Sequence, residues 1–459
     1  MKKYLAIVLA LAMLLSLGVA AAAASDDFDY SGYEPGVTVI EDASSPTGYT
    51  AVFVFDEAGL TDEYIAYIAG QYNVDLSSKL DLSRITRVAV YSNTAMLFSY
   101  EDSAADTALN PITGYTPDQY TTGLYPAGGD TNGALFGGAK INYEVQCVEF
   151  ADGLWGATIP LTSGATDYNI RLGDVFGRSD GTYLYDPANP PMYNTASGVY
   201  SRSSMVYVPY CAEKSDVDRT VECPKTEGET GTLEFVAFEE NNSIAVYLPA
   251  GYDASREEPY NVLYLSHGAQ SEFLGSEMRW LNECAGRNIF DNLGIDYIVV
   301  SVNNIHNGGE NLEKGSSGLW DQALIWEAQE RIMAYVEANY NAGTEPANRA
   351  YAGFSMGGLT TQNVYMAHAD AFDYFGIWSM GIGSLVSEDY LQIMLDNADH
   401  AKVQLAWGDW DYCLDYAKTL QAVLDNNGIE YDFFTVPGSH DWRTWQLILA
   451  DSCVNFFFN

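Results

Sequence analysis

Basic residues are scarce: 21 lysines and arginines stand against 62 aspartates and glutamates, a formal net charge of −41 over 459 residues. A surface of that sign repels phosphate backbones and anionic lipid, so it argues against nucleic acid or an acidic membrane as a partner. Histidine is rarer still, with five in the chain, all scattered. No C-x-x-C or H-E-x-x-H spacing occurs, so nothing in the pattern calls for a dedicated metal site or a cofactor. Six cysteines, Cys147, Cys211, Cys223, Cys284, Cys413 and Cys453, could pair in an oxidising compartment, with Cys211 and Cys223 closing a small loop, or remain free thiols. Beyond the first two dozen residues no apolar run is long enough to cross a bilayer.

What is present begins with a leader. "MKKYLAIVLALAMLLSLGVAAAAASDD" joins Lys2 and Lys3 to an apolar run and then to the small residues Ala20 to Ala24. That order reads as a secretory signal peptide over residues 1–24, which makes the mature chain extracellular and free of membrane. The chain is 47% hydrophobic and has 34 tyrosines, enough to fill more than one core. Residues 25–210 are rich in β-branched and aromatic runs such as "YTAVFVFDE", "ITRVAVYS" and "INYEVQCVEF", broken by the helical spacing of "AGLTDEYIAYIAGQYNVD". They predict a β-sandwich with short insertions, Trp155 being part of its core. Residues 211–231, polar and turn-rich, read as a linker. From residue 232 to 459, short apolar runs ("SIAVYLP", "NVLYLSHG", "YIVVSV", "NRAYAGFS", "AKVQLAWGD") alternate with helical segments, which predicts an α/β domain with a largely parallel sheet.

The chemistry concentrates in that second domain. "GFSMGG" fits G-x-S-x-G around Ser355, after a strand-like run and before a helix-like one. A strand, sharp turn and helix present a serine hydroxyl with helix amides behind it. The hydroxyl needs a base, and the base needs a carboxylate to hold its tautomer. His440, in the loop "VPGSHDWRTW" after the run "YDFFTV", stands where such a base belongs. His400 reads as a solvent-facing turn residue, His368 falls inside the helix after Ser355, and His267 reads as shaping its own H-G turn. Asp409 and Asp411 in "GDWDYC" both follow a strand, and spacing leaves them level as the orienting acid. Two amides should receive the oxyanion, one from Met356 and one from Gly268 or Ala269 at the end of "VLYLSHGAQ". Gln270, Trp280 and Trp442 are the candidate cleft residues.

With these motifs in order, residues from about 231 onward resemble the secreted feruloyl and acetylxylan esterases and their esterase D-like relatives. "IAVYLPAGYD" is similar to their opening strand, "YNVLYLSHG" to the oxyanion segment, "NRAYAGFSMGG" to the elbow, and "VPGSHDWRTWQLIL" to the histidine segment. The resemblance implies an α/β-hydrolase fold. Its acid motif, glycine followed two residues later by the aspartate, selects Asp411. The segments "HGAQSEF" and "NNIHNGGENLEKGSSGLW" depart from the family and bear on substrate. The first domain, with "DGLWGATIPL", "DYNIRL" and "DPANP", resembles the early-set, immunoglobulin-like module that precedes some of these enzymes. The function implied is a secreted serine esterase acting on feruloyl or acetyl esters of plant cell-wall polysaccharide, without a cofactor. A siderophore esterase or an acyltransferase would use the same three residues on a similar fold. A glycan-binding protein with an inactive esterase fold would lack one of them.

Overall fold

The computed structural model describes residues 22–23, 28–45, 47–72, 85, 87–92, 97–100, 139–142, 144–172, 184–214, 218–239, 242–269, 275–303, 322–380, 383, 386–409, 411, 413–436, 438 and 440–459. Of the leader assigned to residues 1–24, only the two-residue strand Ala22–Ala23 is among them. The chain divides into two compact units, residues 1–191 with 202–220, and residues 192–201 with 221–459.

Among the described residues, the first unit holds a two-stranded sheet, Leu97–Tyr100 against Ala139–Asn142, and two larger ones. One runs in the order Gly36–Glu41, Tyr49–Asp56, Leu154–Ile159 and Val148–Ala151, all antiparallel. The other places Glu144–Gln146, Val88–Tyr91, Gly164–Leu172 and Ser204–Val208 side by side, again antiparallel, with Ala22–Ala23 at its edge. Tyr49–Asp56 is apolar without alternation because its six central residues are all buried. Phe53 of the first sheet meets the ring of Tyr168 of the second edge-on at 4.9 Å. Trp155 is buried, and its indole N–H donates to Glu57 Oε1 at 2.8 Å. The expected helix lies at Asp62–Tyr72.

The compact units are bounded differently from the domains read from sequence. Residues 192–201, assigned above to the first domain, belong to the second unit, and the segment read as a linker is fastened from Val221 onward. Asn292 Nδ2 donates to the carbonyls of Val221 and Cys223 (2.9 and 2.7 Å), Lys225 Nζ to that of Asp291 (2.9 Å), and the Gly231 amide to Asp291 Oδ1 (2.6 Å). The polar composition that reads as a tether supplies docking groups instead.

The second unit carries an eight-stranded sheet: β1 (Thr232–Glu239), β2 (Asn242–Leu248), β3 (Val262–Ser266), β4 (Ile298–Val302), β5 (Arg349–Phe354), β6 (Tyr374–Trp378), β7 (Lys402–Gly408) and β8 (Asp432–Val436). The spatial order is β1-β2-β4-β3-β5-β6-β7-β8. β1 and β2 are antiparallel additions, and β3 to β8 are parallel. Helices α1 (Gly286–Leu293) and α6 (Trp442–Asn455) cover one face. The other face carries α2 (Gln322–Asn339), α3 (Met356–His368), α4 (Glu388–Asp396) and α5 (Leu414–Asn427). β3 to β7 are continuous apolar runs because both faces are covered: Leu263 and Leu265 enter one core, Val262 and Tyr264 the other. Gly428, at φ +67°, closes α5 in the left-handed conformation expected after Asn426-Asn427.

Candidate active site

The register of β3 against β5 sets the stage. Ser266 lies opposite Gly353, so the loop leaving β3 at His267 emerges beside the turn that leaves β5 at Ser355. In a parallel sheet, strand ends on one edge are the natural place to collect groups from distant parts of the chain.

Ser355 sits between β5 and α3 at φ 56°, ψ −118°, a backbone that L-residues rarely adopt. Its amide donates to the Trp378 carbonyl at 3.0 Å, which ties the turn to β6. The flanking glycines are demanded by space. A Cβ on Gly357 would lie 2.3 Å from the Ser266 carbonyl oxygen and 2.7 Å from that of His267. One on Gly353 would lie 2.6 Å from the Gly357 backbone. α3 starts at Met356, so its first amides have no carbonyl four residues back to bond to and present partial positive charge at the turn.

His440 and Asp411 reach this turn from the ends of β8 and β7. His440 Nε2 lies 2.9 Å from Ser355 Oγ, and Nδ1 lies 2.9 and 3.0 Å from the two oxygens of Asp411. His440 directly precedes Asp441, the N-cap of α6, whose carboxylate accepts from the Thr444 amide at 3.2 Å. The cap fixes where the chain leaves the helix and so where the imidazole starts. Trp445 meets the imidazole edge-on at 5.2 Å. Asp411 is fully buried, and its Oδ1 also accepts from the Cys413 amide at 2.8 Å. Asp409, level with it by spacing, instead bonds Thr435 through its side chain and is pushed up by burial. The donor atoms of Asp411, Cys413 and His440 lie within 4.8 Å of one another, a trio that sequence spacing does not reveal.

The segment expected to supply an oxyanion donor is held at the carbonyls of Gly268 and Ala269. His267 is fully buried, and Nδ1 lies 2.8 Å from the Gly268 carbonyl. Burial, together with the charge of Arg279, holds His267 down to about 3, so it stays neutral and its Nδ1 carries the hydrogen that this carbonyl accepts. Gly268 passes against Phe354, where a Cβ would lie 2.4 Å from the ring. Arg279 Nη1 donates to the Ala269 carbonyl at 2.7 Å, and its guanidinium lies over Trp442 at 5.0 Å.

Two of the three proposed cleft residues are elsewhere. Trp280 is fully buried between Phe354 and Trp378, and its N–H donates to the Ser266 carbonyl at 3.0 Å. Trp442 is 1% exposed, beneath Trp445 and against Phe354. Both tryptophans are core because α6 and the segment after Gly275 seal one face of the sheet. Gln270 and residues 304–320 of the unusual segment fall outside the described residues. His400 lies in a turn, partly exposed as expected, with Nδ1 2.7 Å from Asp373 and Nε2 3.1 Å from Asn397. No disulfide joins any of the six cysteines, all of which are among the described residues. Arg279 was missed by sequence reasoning, and no local pattern in "SEMRW" marks it.

This strand order, with a serine on a strained turn between strand and helix, defines an α/β-hydrolase. Residues 236–456 match the model of the esterase family described as "Putative esterase". The chain is 30% identical over 224 residues to an endo-1,4-beta-xylanase/feruloyl esterase of Xylanibacter ruminicola, covering 46% of this chain and 29% of that one. It is 29% identical over 159 residues to endo-1,4-beta-xylanase Y of Acetivibrio thermocellus, covering 33% and 14% respectively. Among solved structures, the enterobactin esterase of Shigella flexneri shares the fold over 94% of this chain and all of that one, with a TM-score of 0.50 and 13% identity. The chain thus spans less than a third of either curated relative. Among the described residues, no helix is long and apolar enough to cross a membrane.

Proposed function

We propose that this protein is a secreted serine esterase that hydrolyses acyl esters, feruloyl or acetyl, on plant cell-wall polysaccharide. The observation that carries the chemistry is the continuous set of contacts from Ser355 Oγ through His440 to the buried Asp411, at 2.9 Å on each side of the imidazole. The substrate class is supported by the xylanase/feruloyl esterase relative and by the family model that the second unit matches.

In this reading Ser355 Oγ attacks the ester carbonyl carbon while its proton passes to His440 Nε2. Asp411 holds the Nδ1 hydrogen and stabilises the imidazolium as it forms. The carbonyl electron pair moves onto oxygen, where the amides of Met356 and of Gly268 or Ala269 receive it. The tetrahedral species collapses, the C–O bond to the sugar breaks, and His440 returns its proton to the leaving hydroxyl. Water then attacks the acyl-enzyme by the same route, giving the free acid and Ser355.

The test is the rate on aryl acetates and the release of ferulate and acetate from acylated xylan. Ser355→Ala is expected to lower the aryl acetate rate on the order of 10⁶-fold. Asp411→Asn is expected to lower it on the order of 10⁴-fold, while Asp409→Asn stays within about tenfold of the parent. A Ser355→Ala protein turning over at the parent rate would refute the assignment. Activity on aryl acetates without release from xylan would leave the chemistry standing and reject the substrate.

A further inference from the structure

The ten residues Met192–Ser201 are separated from the rest of the second unit by residues 202–220, which belong to the first, yet they are part of the second. They form a small hairpin, Tyr193–Asn194 against Val199–Tyr200, closed by the Gly198 amide on the Asn194 carbonyl at 2.9 Å. Its anchors are buried and polar. Asn194 Nδ2 donates to Glu277 Oε1 (2.5 Å) and lies 3.0 Å from Ser243 Oγ. Ser201 Oγ bonds both oxygens of Glu283 at 3.0 Å, and the Met192 amide donates to Asn282 Oδ1 at 3.2 Å. Glu277 is fully buried and also accepts from Ser243 Oγ (2.7 Å) and Asn303 Nδ2 (3.0 Å). Val199 fits against Gly275, where a Cβ would lie 3.1 Å from Cγ2.

Apart from Ser243 on β2, every anchor falls within one short segment, 275–284, and that segment holds the catalytic loops. Arg279 fixes the Ala269 carbonyl and Trp280 the Ser266 carbonyl. The Glu283 carbonyl accepts from Gln446 of α6 at 3.2 Å, the helix whose cap directly follows His440. A buried carboxylate with several donors tolerates little displacement, because any lost partner leaves charge or polarity uncompensated. The strap therefore locks the segment, and the segment aims the oxyanion loop.

We infer that the strap 192–201 is a positioning element for ester hydrolysis, with Asn194 and Ser201 acting through Glu277 and Glu283 on the orientation of the Gly268–Ala269 amides. The inference rests on the esterase reading above. Displacing a reacting or stabilising group by about 1 Å costs up to about 10²-fold in rate, so a loosened strap should lower turnover without weakening ground-state binding.

The experiment uses the full chain with Asn194→Ala, Ser201→Ala, and Ser201→Thr, which keeps the hydroxyl. Active sites are counted by stoichiometric fluorophosphonate labelling, and kcat and KM are measured on an aryl acetate. The expected result is a fall of about 5- to 50-fold in kcat per labelled site with KM within about twofold, and recovery in Ser201→Thr. The rate constant of labelling should fall in step, since the phosphoryl oxygen uses the same amides. Should Asn194→Ala not fold, Ser201→Ala and Glu277→Gln carry the same test. Parent kcat per labelled site, with loss confined to melting temperature, overturns the inference alone. A parent protein inert on aryl acetates removes the esterase reading and the strap's role with it.

Discussion

His267 lies one residue from a loop glycine at the site, yet it cannot serve as a base. Full burial and the nearby Arg279 charge take it from an ordinary 6.5 to about 3. The folded protein therefore binds no proton there until the pH nears 3, whereas the unfolded chain binds one from about 6.5 downward. The stability this group contributes is complete above the unfolded value and is lost as the pH falls through that window, at a slope of at most about 1.4 kcal/mol per pH unit. His267→Gln retains an N–H for the Gly268 carbonyl and does not titrate. Its unfolding free energy, from urea titrations, should depend less steeply on pH than the parent's between about pH 6 and 4; parallel curves would show that the imidazole does titrate in the fold. At this scale, the sequence alone points to Ser355 and His440 through motif and order. Spacing leaves Asp409 and Asp411 level, because both follow β7 within three residues; the resemblance selects Asp411, whose carboxylate the turn aims at the imidazole.

At the scale of elements, the turn between β5 and α3 is governed by space. Gly357→Ala would force a Cβ to within 2.3 Å of the Ser266 carbonyl, and the obstacle is backbone rather than a flexible side chain. The expected outcome is a loss of roughly 1–3 kcal/mol of stability and a fall of about 10²-fold or more in aryl acetate hydrolysis as β3 and the elbow separate. Thermal melts and initial rates check both; a variant matching the parent in each would mean the strand end yields freely. Most of the second unit's sheet is readable from alternating apolar and helical runs, since each run is one buried strand. The hairpin at 192–201 is not readable. Its strands are two residues each, it follows a Pro-rich loop, and its partners lie about 80 residues later. Trp280 and Trp442 mislead for a related reason: an aromatic near a catalytic motif is as often the floor of the sheet as the wall of a cleft.

At the scale of the whole chain, the sequence boundary near residue 211 reflects composition, whereas the compact units reflect who is bonded to whom. A fragment beginning at Val221 lacks the first unit, keeps every strand of the eight-stranded sheet, and of the second unit loses only the strap. Glu277 and Glu283 then lose Asn194 and Ser201, at about 1–3 kcal/mol for each buried partner removed. Its melting temperature should fall roughly 5–15 °C below that of the full chain. Equal melting of fragment and full chain would show that the strap contributes no stability. The net charge of −41 informs on partners at this scale and is silent about architecture.

The route of the chain also bears on inheritance. Because Met192–Ser201 is encoded upstream of residues that belong to the other unit, no single crossover leaves both units intact: a break before residue 192 takes Ser204–Val208 from the first unit's sheet, and a break after residue 220 takes the strap from the second. A recombination event that swapped the front module would have to bring along ten residues able to clasp the same two glutamates, so the halves are expected to travel through evolution as a pair.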